Sequence, residues 1–190
     1  VGVIGESGSG KTTLGRVISG LMAPKQGQVF LNGQVLQSNL SKRSREELRD
    51  IQFAFQMADV ALNPREKIGK ILGRPMQFYR KISNKEMEYE VEKLLTRVDL
   101  PTEFIRRLPT ELSGGQRQRV NLARALAAEP KLIICDEITS ALDTIVAQQI
   151  LDLLASLQEE LGLSYLFITH NIATVAQISK KIAVMRNGQI

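Results

Sequence analysis

Tryptophan is absent from the 190 residues, and aromatic surface is limited to three tyrosines and six phenylalanines. That leaves few platforms on which nucleic-acid bases could stack. The net charge of +5 does not reverse this. The densest basic run, Lys42 to Arg49, is broken by Glu46 and Glu47 and reads as a solvated helix face. A basic surface suits anionic lipid equally well, and no nucleic-acid partner is expected. The single cysteine, Cys135, excludes an internal disulfide framework and sits in the apolar run LIIC, where a thiol is buried and inert. No stretch approaches the roughly 18 apolar residues of a membrane-spanning helix. No charged segment followed by an apolar one opens the chain, so no export signal is expected. Repeats and low-complexity tracts are missing too. With 43% hydrophobic residues, the length suits one domain with a real core.

The stretch that organises the rest is GESGSGKTT, Gly5 to Thr13. It fits the G-x-x-x-x-G-K-[ST] pattern, with Gly5, Gly10, Lys11 and Thr12 in the fixed places. VGVI before it is an apolar strand end. Leu14, Val17, Ile18 and Leu21 after it recur at helical spacing. Between strand and helix, glycines let backbone N–H groups approach a polyphosphate while the helix start presents its positive end. Lys11 can reach terminal phosphates, and the Thr12 hydroxyl can sit on a magnesium ion. The pattern implies a nucleoside triphosphate ligand.

Further along, QVFLNGQVL alternates around an Asn32-Gly33 hairpin turn. Residues 44–50 read as helix and IQFAF at 51–55 as a buried strand ending at Gln56. Residues 57–112 are charged and helix-rich, without convincing strands. Helices over about 114–128, 145–160 and 171–178 then alternate with strands KLIIC, SYLFIT and KIAVMR, before an Asn187-Gly188 turn. This order implies a single α/β domain with a parallel sheet core and a small antiparallel β element. The core is assigned to 1–56 and 113–190, and 57–112 to an inserted helical subdomain. The chain opens in mid-strand without methionine and closes on a turn, so truncation at both ends is expected.

Strand C-termini are where such sheets place ligands, and three of them carry polar groups. LIICDE ends in Asp136, suited to hold magnesium through its water shell, and Glu137, suited to polarise an attacking water. His170, the only histidine, follows SYLFIT and is suited to the γ-phosphate or that water. Gln56 ends IQFAF and can touch both metal and water. Each also has a plainer reading as a solvated acidic turn, a surface histidine or a polar loop residue. A third signal is LSGGQRQRVNLARAL, Leu112 to Leu126, in which Ser113 can cap a helix whose first residues are Gly114 and Gly115. Since the first loop already serves the chain's own phosphate, this second helix start suits the nucleotide of another subunit. Its plainer reading is an ordinary N-cap before a basic helix.

GESGSGKT, Gln56, LSGGQRQR, LIICDE, SALD at 140–143 and His170 stand in the order and rough spacing of the ATP-binding-cassette ATPases, which this sequence resembles over essentially its whole length. LSGGQ is that family's own signature among phosphate-loop NTPases. FQMADVALNPR at 55–65 and YLFITHNIATVAQISKKIAVMRNGQI are similar to the branch that powers dipeptide, oligopeptide and nickel importers. The resemblance implies a head-to-tail dimer, of like or unlike ATPase subunits, with two ATP molecules between them. It implies nucleotide contacts from Gly5, Ser7, Gly8, Ser9, Gly10, Lys11, Thr12 and Thr13 on one side. Ser113, Gly114, Gly115 and Gln116 would close over the partner's ATP, and Asp143 would support the interface. Magnesium would be held at Thr12, Gln56 and Asp136, and hydrolysis carried by Glu137, His170 and Gln56. The segment after Gln56, with the helical insertion, would meet membrane-spanning permease subunits at the cytoplasmic face of the plasma membrane, served indirectly by a solute-binding protein. The chain departs from the family at Ile138, where proline is usual, and at Asn171, where aspartate is common. The family's adenine-stacking aromatic precedes the phosphate loop; residues 1–4 hold none, and weaker nucleotide affinity is expected of this chain. The alternative is a soluble cassette ATPase of translation or DNA repair. A module without hydrolysis would have lost Glu137 or His170.

Overall fold

A strand with helices on both faces must be apolar on both, and Ile133, Ile134 and Cys135 are each wholly buried. The computed structural model describes residues 1–190. In chain order, β1 (Gly2–Ile4) leads through the glycine-rich loop to α1 (Lys11–Ser19), and β2 (Val29–Leu31) and β3 (Gln34–Leu36) form a hairpin. α2 (Arg45–Asp50) runs directly into β4 (Ile51–Ala54), followed by α3 (Ala58–Ala61), α4 (Ile68–Pro75) and α5 (Asn84–Arg97). α6 (Gly114–Leu126) feeds β5 (Leu132–Asp136), α7 (Thr144–Leu161) feeds β6 (Ser164–Ile168), and α8 (Ile172–Ile178) feeds β7 (Ile182–Val184).

The large sheet has the order β4-β5-β6-β1-β7, and every pairing in it is parallel. The register aligns the C-terminal ends: Asp136 lies opposite Ile168, Val3 opposite the same Ile168, and Ile4 opposite Val184. One edge of the sheet therefore collects the loops after β1, β4, β5 and β6. β2 and β3 pair antiparallel around Asn32 and Gly33, whose φ of 51° and 79° are the doubly left-handed turn that a two-residue hairpin favours. This is the α/β architecture, with its small antiparallel element, that the residue pattern implies.

α1 lies close on the sheet because its middle carries no side chain: a Cβ at Gly15 would stand 3.0 Å from Ile168 and 3.2 Å from Ile134. It stops at Ser19, short of the periodic Leu21, because Gly20 turns left-handed and donates its N–H to Val17. Leu21 is left exposed. The helix end corrects one reading of the sequence. Arg43, in the run taken for a solvated face, is only 6% exposed. Its guanidinium donates to the carbonyls of Ser19 (2.9 Å), Ile18 (3.1 Å) and Gln37 (2.9 Å). The fork geometry of arginine lets one side chain close the last turn of α1 and fix the exit of β3 together.

Residues 57–112 contain no strand; besides α3, α4 and α5 they hold a π-helical stretch, Met76–Arg80, and short 3-10 turns. Their apolar faces do not form a separate core. Leu62, Leu72, Leu95 and Val98 join Val120 and Leu122 of α6, and Ile133, Ile150 and Phe167 beyond, in one continuous cluster of 31 buried residues. α6 is the shared wall, packing on α3, α4 and α5 as well as on β4 and α7.

Arg43→Ala leaves three carbonyls without their donor. A loss of about 3 kcal/mol in unfolding free energy is expected, read from urea denaturation, with Arg43→Lys recovering part of it.

Candidate functional site

Gly10 stands at the N-cap of α1 with φ 104°, a conformation costly for any residue with a Cβ. The turn it makes exposes main-chain donors. The N–H groups of Gly8, Gly10, Lys11, Thr12 and Thr13 bond to no main-chain or side-chain acceptor of the protein. They border a cavity of about 340 Å³ lined by Ser7, Gly8, Gly10, Lys11, Thr12, Thr13, Gln56 and Glu137, none of them hydrophobic. Convergent free donors at a helix start are an anion site. Lys11 is 6% exposed and turns its Nζ to the loop's own carbonyls, Gly5 and Glu6, at 2.8 Å each. A buried ammonium needs acceptors, and these are the nearest. The hydroxyl of Ser9 is buried and without a partner.

Across the cavity, the Thr12 hydroxyl donates to Asp136 Oδ1 at 3.1 Å. Glu137 follows with φ 47°, a left-handed conformation uncommon for a residue with a side chain. Its N–H is fixed by Ile168 O (2.8 Å), and its carbonyl accepts from the N–H and hydroxyl of Ser140 (3.0 and 2.8 Å). The carboxylate is held from both sides: Gln56 Nε2 donates to Oε2 at 3.2 Å, and His170 Nδ1 lies 3.3 Å from Oε1. Gln56 Nε2 also reaches Ser140 Oγ at 3.2 Å. Ile138, standing where the resembled family has proline, is 2% exposed and part of the main core, so burial anchors the turn that presents Glu137. Burial pushes the Asp136 carboxyl above its ordinary range; the Thr12 hydrogen bond opposes this, the charge of Glu137 adds to it, and Arg16 and Lys11 oppose it.

The other residues singled out from sequence form a second cluster. Ser113 caps α6 in a reciprocal box, its hydroxyl accepting from Gln116 N (3.3 Å) while its own N–H donates to Gln116 Oε1 (2.9 Å). Asp143 caps α7 by accepting from Val146 N at 3.0 Å. The two helix starts abut: a Cβ at Gly115 would fall 2.5 Å from Val146. No hydrogen bond joins Ser113, Gly114, Gly115, Gln116 or Asp143 to the first cluster. The chain thus presents two separate helix-start clusters.

A profile of the ABC transporter family matches residues 1–140. The chain belongs to that family. Among curated ABC proteins, 44% of positions are identical to the oligopeptide transport ATP-binding protein OppF of Haemophilus influenzae, over 99% of this chain and 57% of that protein. AppF of Bacillus subtilis is 41% identical over 100% of this chain and 58% of itself. The glutathione import ATP-binding protein GsiA of Escherichia coli K12 is 44% identical over 99% of this chain and 30% of itself. The chain spans little more than half the length of OppF and AppF. Among solved structures, the cassette MJ0796, captured as a dimer in a post-hydrolysis state with ADP and Pi, superimposes with a TM-score of 0.83 at 32% identity, over 98% of this chain and 81% of that one. The cassette cbiO1 of Clostridium perfringens, part of the transporter complex cbiONQ, gives 0.84 at 27% identity, over 98% and 73%.

Several residues of this ABC chain's site escaped the sequence reading. Ser140 lies within SALD yet bridges Gln56 and Glu137. Asn121 is wholly buried on α6 and donates to Phe55 O at 2.8 Å, fixing the residue before Gln56. Arg124 reaches Ala61 O, and Arg117 pairs with Asp59. Their signal was present: positions 117, 121 and 124 are polar residues at helical spacing that share one face of α6.

The raised Asp136 pKa has a sign. In the folded state the ionised carboxylate is disfavoured, so at neutral pH it costs stability; as pH falls through the folded value, the folded state gains a proton first and the cost disappears. Asp136→Asn is expected to raise the urea midpoint of the metal-free protein at pH 8, with the difference from wild type shrinking toward pH 4.

Proposed function

We propose that the chain is the ATP-hydrolysing part of a peptide importer, working as a head-to-tail dimer on the cytoplasmic face of the membrane. The observation that carries the reading is Glu137, clamped between Gln56 and His170 and lining the same cavity as the free N–H groups of the glycine-rich loop. A polyphosphate in that cavity would meet the N–H donors of Gly8, Gly10, Lys11, Thr12 and Thr13, and the Lys11 ammonium would exchange the Gly5 and Glu6 carbonyls for phosphate oxygens. Ser7, Ser9 and Gly5 shape the same loop.

The fit of magnesium rests on donor chemistry. The Thr12 hydroxyl, the Asp136 carboxylate and the Gln56 amide oxygen are hard oxygen ligands; Thr12 and Gln56 line the cavity, and Asp136 is in contact with Thr12. Bound there, the ion would supply neutralisation of phosphate charge. The chain's own residues do the rest. Glu137 accepts a proton from the water it orients; Gln56 and His170 fix its two oxygens; Ser140 holds the carbonyl beneath. Each cassette completes the other's site, because Ser113, Gly114, Gly115 and Gln116 open on a surface away from their own loop, with Asp143 beside them.

Import of peptides is supported by the similarity to OppF and AppF over the full chain. Permease contact falls to the groove of about 470 Å³ between the two halves, lined by Leu40, Leu48, Phe55, Ala61, Pro75 and Tyr79 among others. It shares Phe55 and Ala61 with the flanks of Gln56, so a membrane subunit seated there touches the segment that holds the catalytic carboxylate.

Glu137→Gln keeps the shape and removes the base. Phosphate release is expected to fall about 10²- to 10⁴-fold while ATP binding persists and a nucleotide-dependent dimer accumulates in gel filtration. Unchanged turnover removes Glu137 from this role. In cells carrying the intact system, uptake of a labelled tripeptide should be lost with the same change.

A further inference from the structure

The Asn187-Gly188 turn has no part in the site as described, yet it touches the glycine-rich loop from behind. Arg186 and Gln189 exchange both main-chain hydrogen bonds (2.8 and 2.9 Å), and Asn187 and Gly188 take φ 48° and 79°, a tight doubly left-handed turn. It is tied to the loop at two levels. Met185 N donates to Ile4 O at 2.7 Å, and Gly188 N donates to Ser9 O at 3.0 Å. The approach needs glycine in the loop: a Cβ at Gly5 would fall 2.1 Å from Met185 O, and one at Gly10 would fall 3.1 Å from the Met185 methyl.

The bond to Ser9 O has a directional consequence. No peptide in the chain is cis, and in a planar trans peptide the C=O and the following N–H point opposite ways. Drawing the Ser9 carbonyl back toward Gly188 turns the Gly10 N–H forward. Gly10 lines the polar cavity, whereas Ser9 and Gly188 do not. Ser9 is also held at its other end, its N–H donating to Glu6 O at 3.2 Å. We propose that the Arg186–Gln189 turn is a positioning element of the phosphate site, its Gly188 N–H presetting the Gly10 N–H toward polyphosphate. The proposal rests on the nucleotide reading given above and adds residues to it that touch no ligand. Presetting a donor lowers the ordering cost of binding, so the effect belongs in affinity rather than in the chemical step.

The deciding variant replaces Gly188 by its α-hydroxy analogue, which turns the N–H into an ester oxygen and changes no side chain. Affinities for ATP, ADP and inorganic tripolyphosphate are expected to weaken together by about tenfold, KM rising likewise with kcat at saturating ATP retained. Gly188→Val, strained at φ 79°, should follow the ester, whereas Gly188→Asn, which tolerates that conformation and meets nothing within 4 Å, should bind as wild type. Unchanged tripolyphosphate affinity in the ester protein overturns the proposal and leaves the nucleotide reading intact. A wild-type chain that binds neither ATP nor tripolyphosphate removes that reading itself, and this proposal with it.

Discussion

Because the five strands of the main sheet all run one way, whatever follows their C-terminal ends is delivered to one edge. The glycine-rich loop, Gln56, the Asp136–Glu137 pair and His170 come from β1, β4, β5 and β6, far apart in the chain and adjacent in the sheet. Parallel register does this without a dedicated scaffold, since each strand's last hydrogen-bonded pair fixes the next residue's height. Glu137 shows the consequence most directly. Its own N–H bonds to Ile168 O, so the residue that ends β6 sets the position of the carboxylate that ends β5. His170, two residues past Ile168, then reaches that carboxylate.

Charge is balanced tightly at this edge. Lys11 is buried among carbonyls, and Asp136 is buried against a hydroxyl, with Glu137 close enough to raise its proton affinity. Neither arrangement is comfortable without a counter-charge. A carboxylate whose ionised form is disfavoured by burial gains most from a cation, and a row of free N–H groups gains most from an anion. In the reading proposed above, a magnesium polyphosphate would supply both counter-charges, the cation to Asp136 and the anion to the free N–H groups.

The fold and the residues gathered in the candidate site were legible because their signals are local. Strand-loop-helix around Gly5–Thr13, an apolar run closing on Asp136-Glu137, and Ser113 before two glycines each reveal their backbone conformation within ten residues or so. What could not be read are the pairings made across long sequence separations. Arg43 looked like one charge on a wet helix, because nothing near it in sequence shows that the carbonyls of Ile18 and Ser19 lie within reach. Ser140 bridging to Gln56 and Ile138 buried in the main core share that character. The boundary drawn after residue 112 marks a real change of composition, yet one hydrophobic cluster runs across it through α6.

That helix gives the two helix-start clusters a mechanical relation. Its first turn is the Ser113–Gln116 cap, and its inner face holds Arg117, Asn121 and Arg124, which grip Asp59, Phe55 and Ala61 on either side of Gln56. Asn121 is wholly buried, so releasing Phe55 O would leave its amide N–H without a partner at a cost of about 1–3 kcal/mol. Gln56 is thus tied through Phe55 to a helix that packs on α3, α4, α5, β4 and α7. In the dimer proposed above, α6 opens on the partner's nucleotide while Gln56 answers to its own. The same grip lies beside the groove proposed above for the membrane subunits, since Arg124 and Phe55 line it. The polar stripe on α6 thus connects three surfaces that no single motif in the sequence contains.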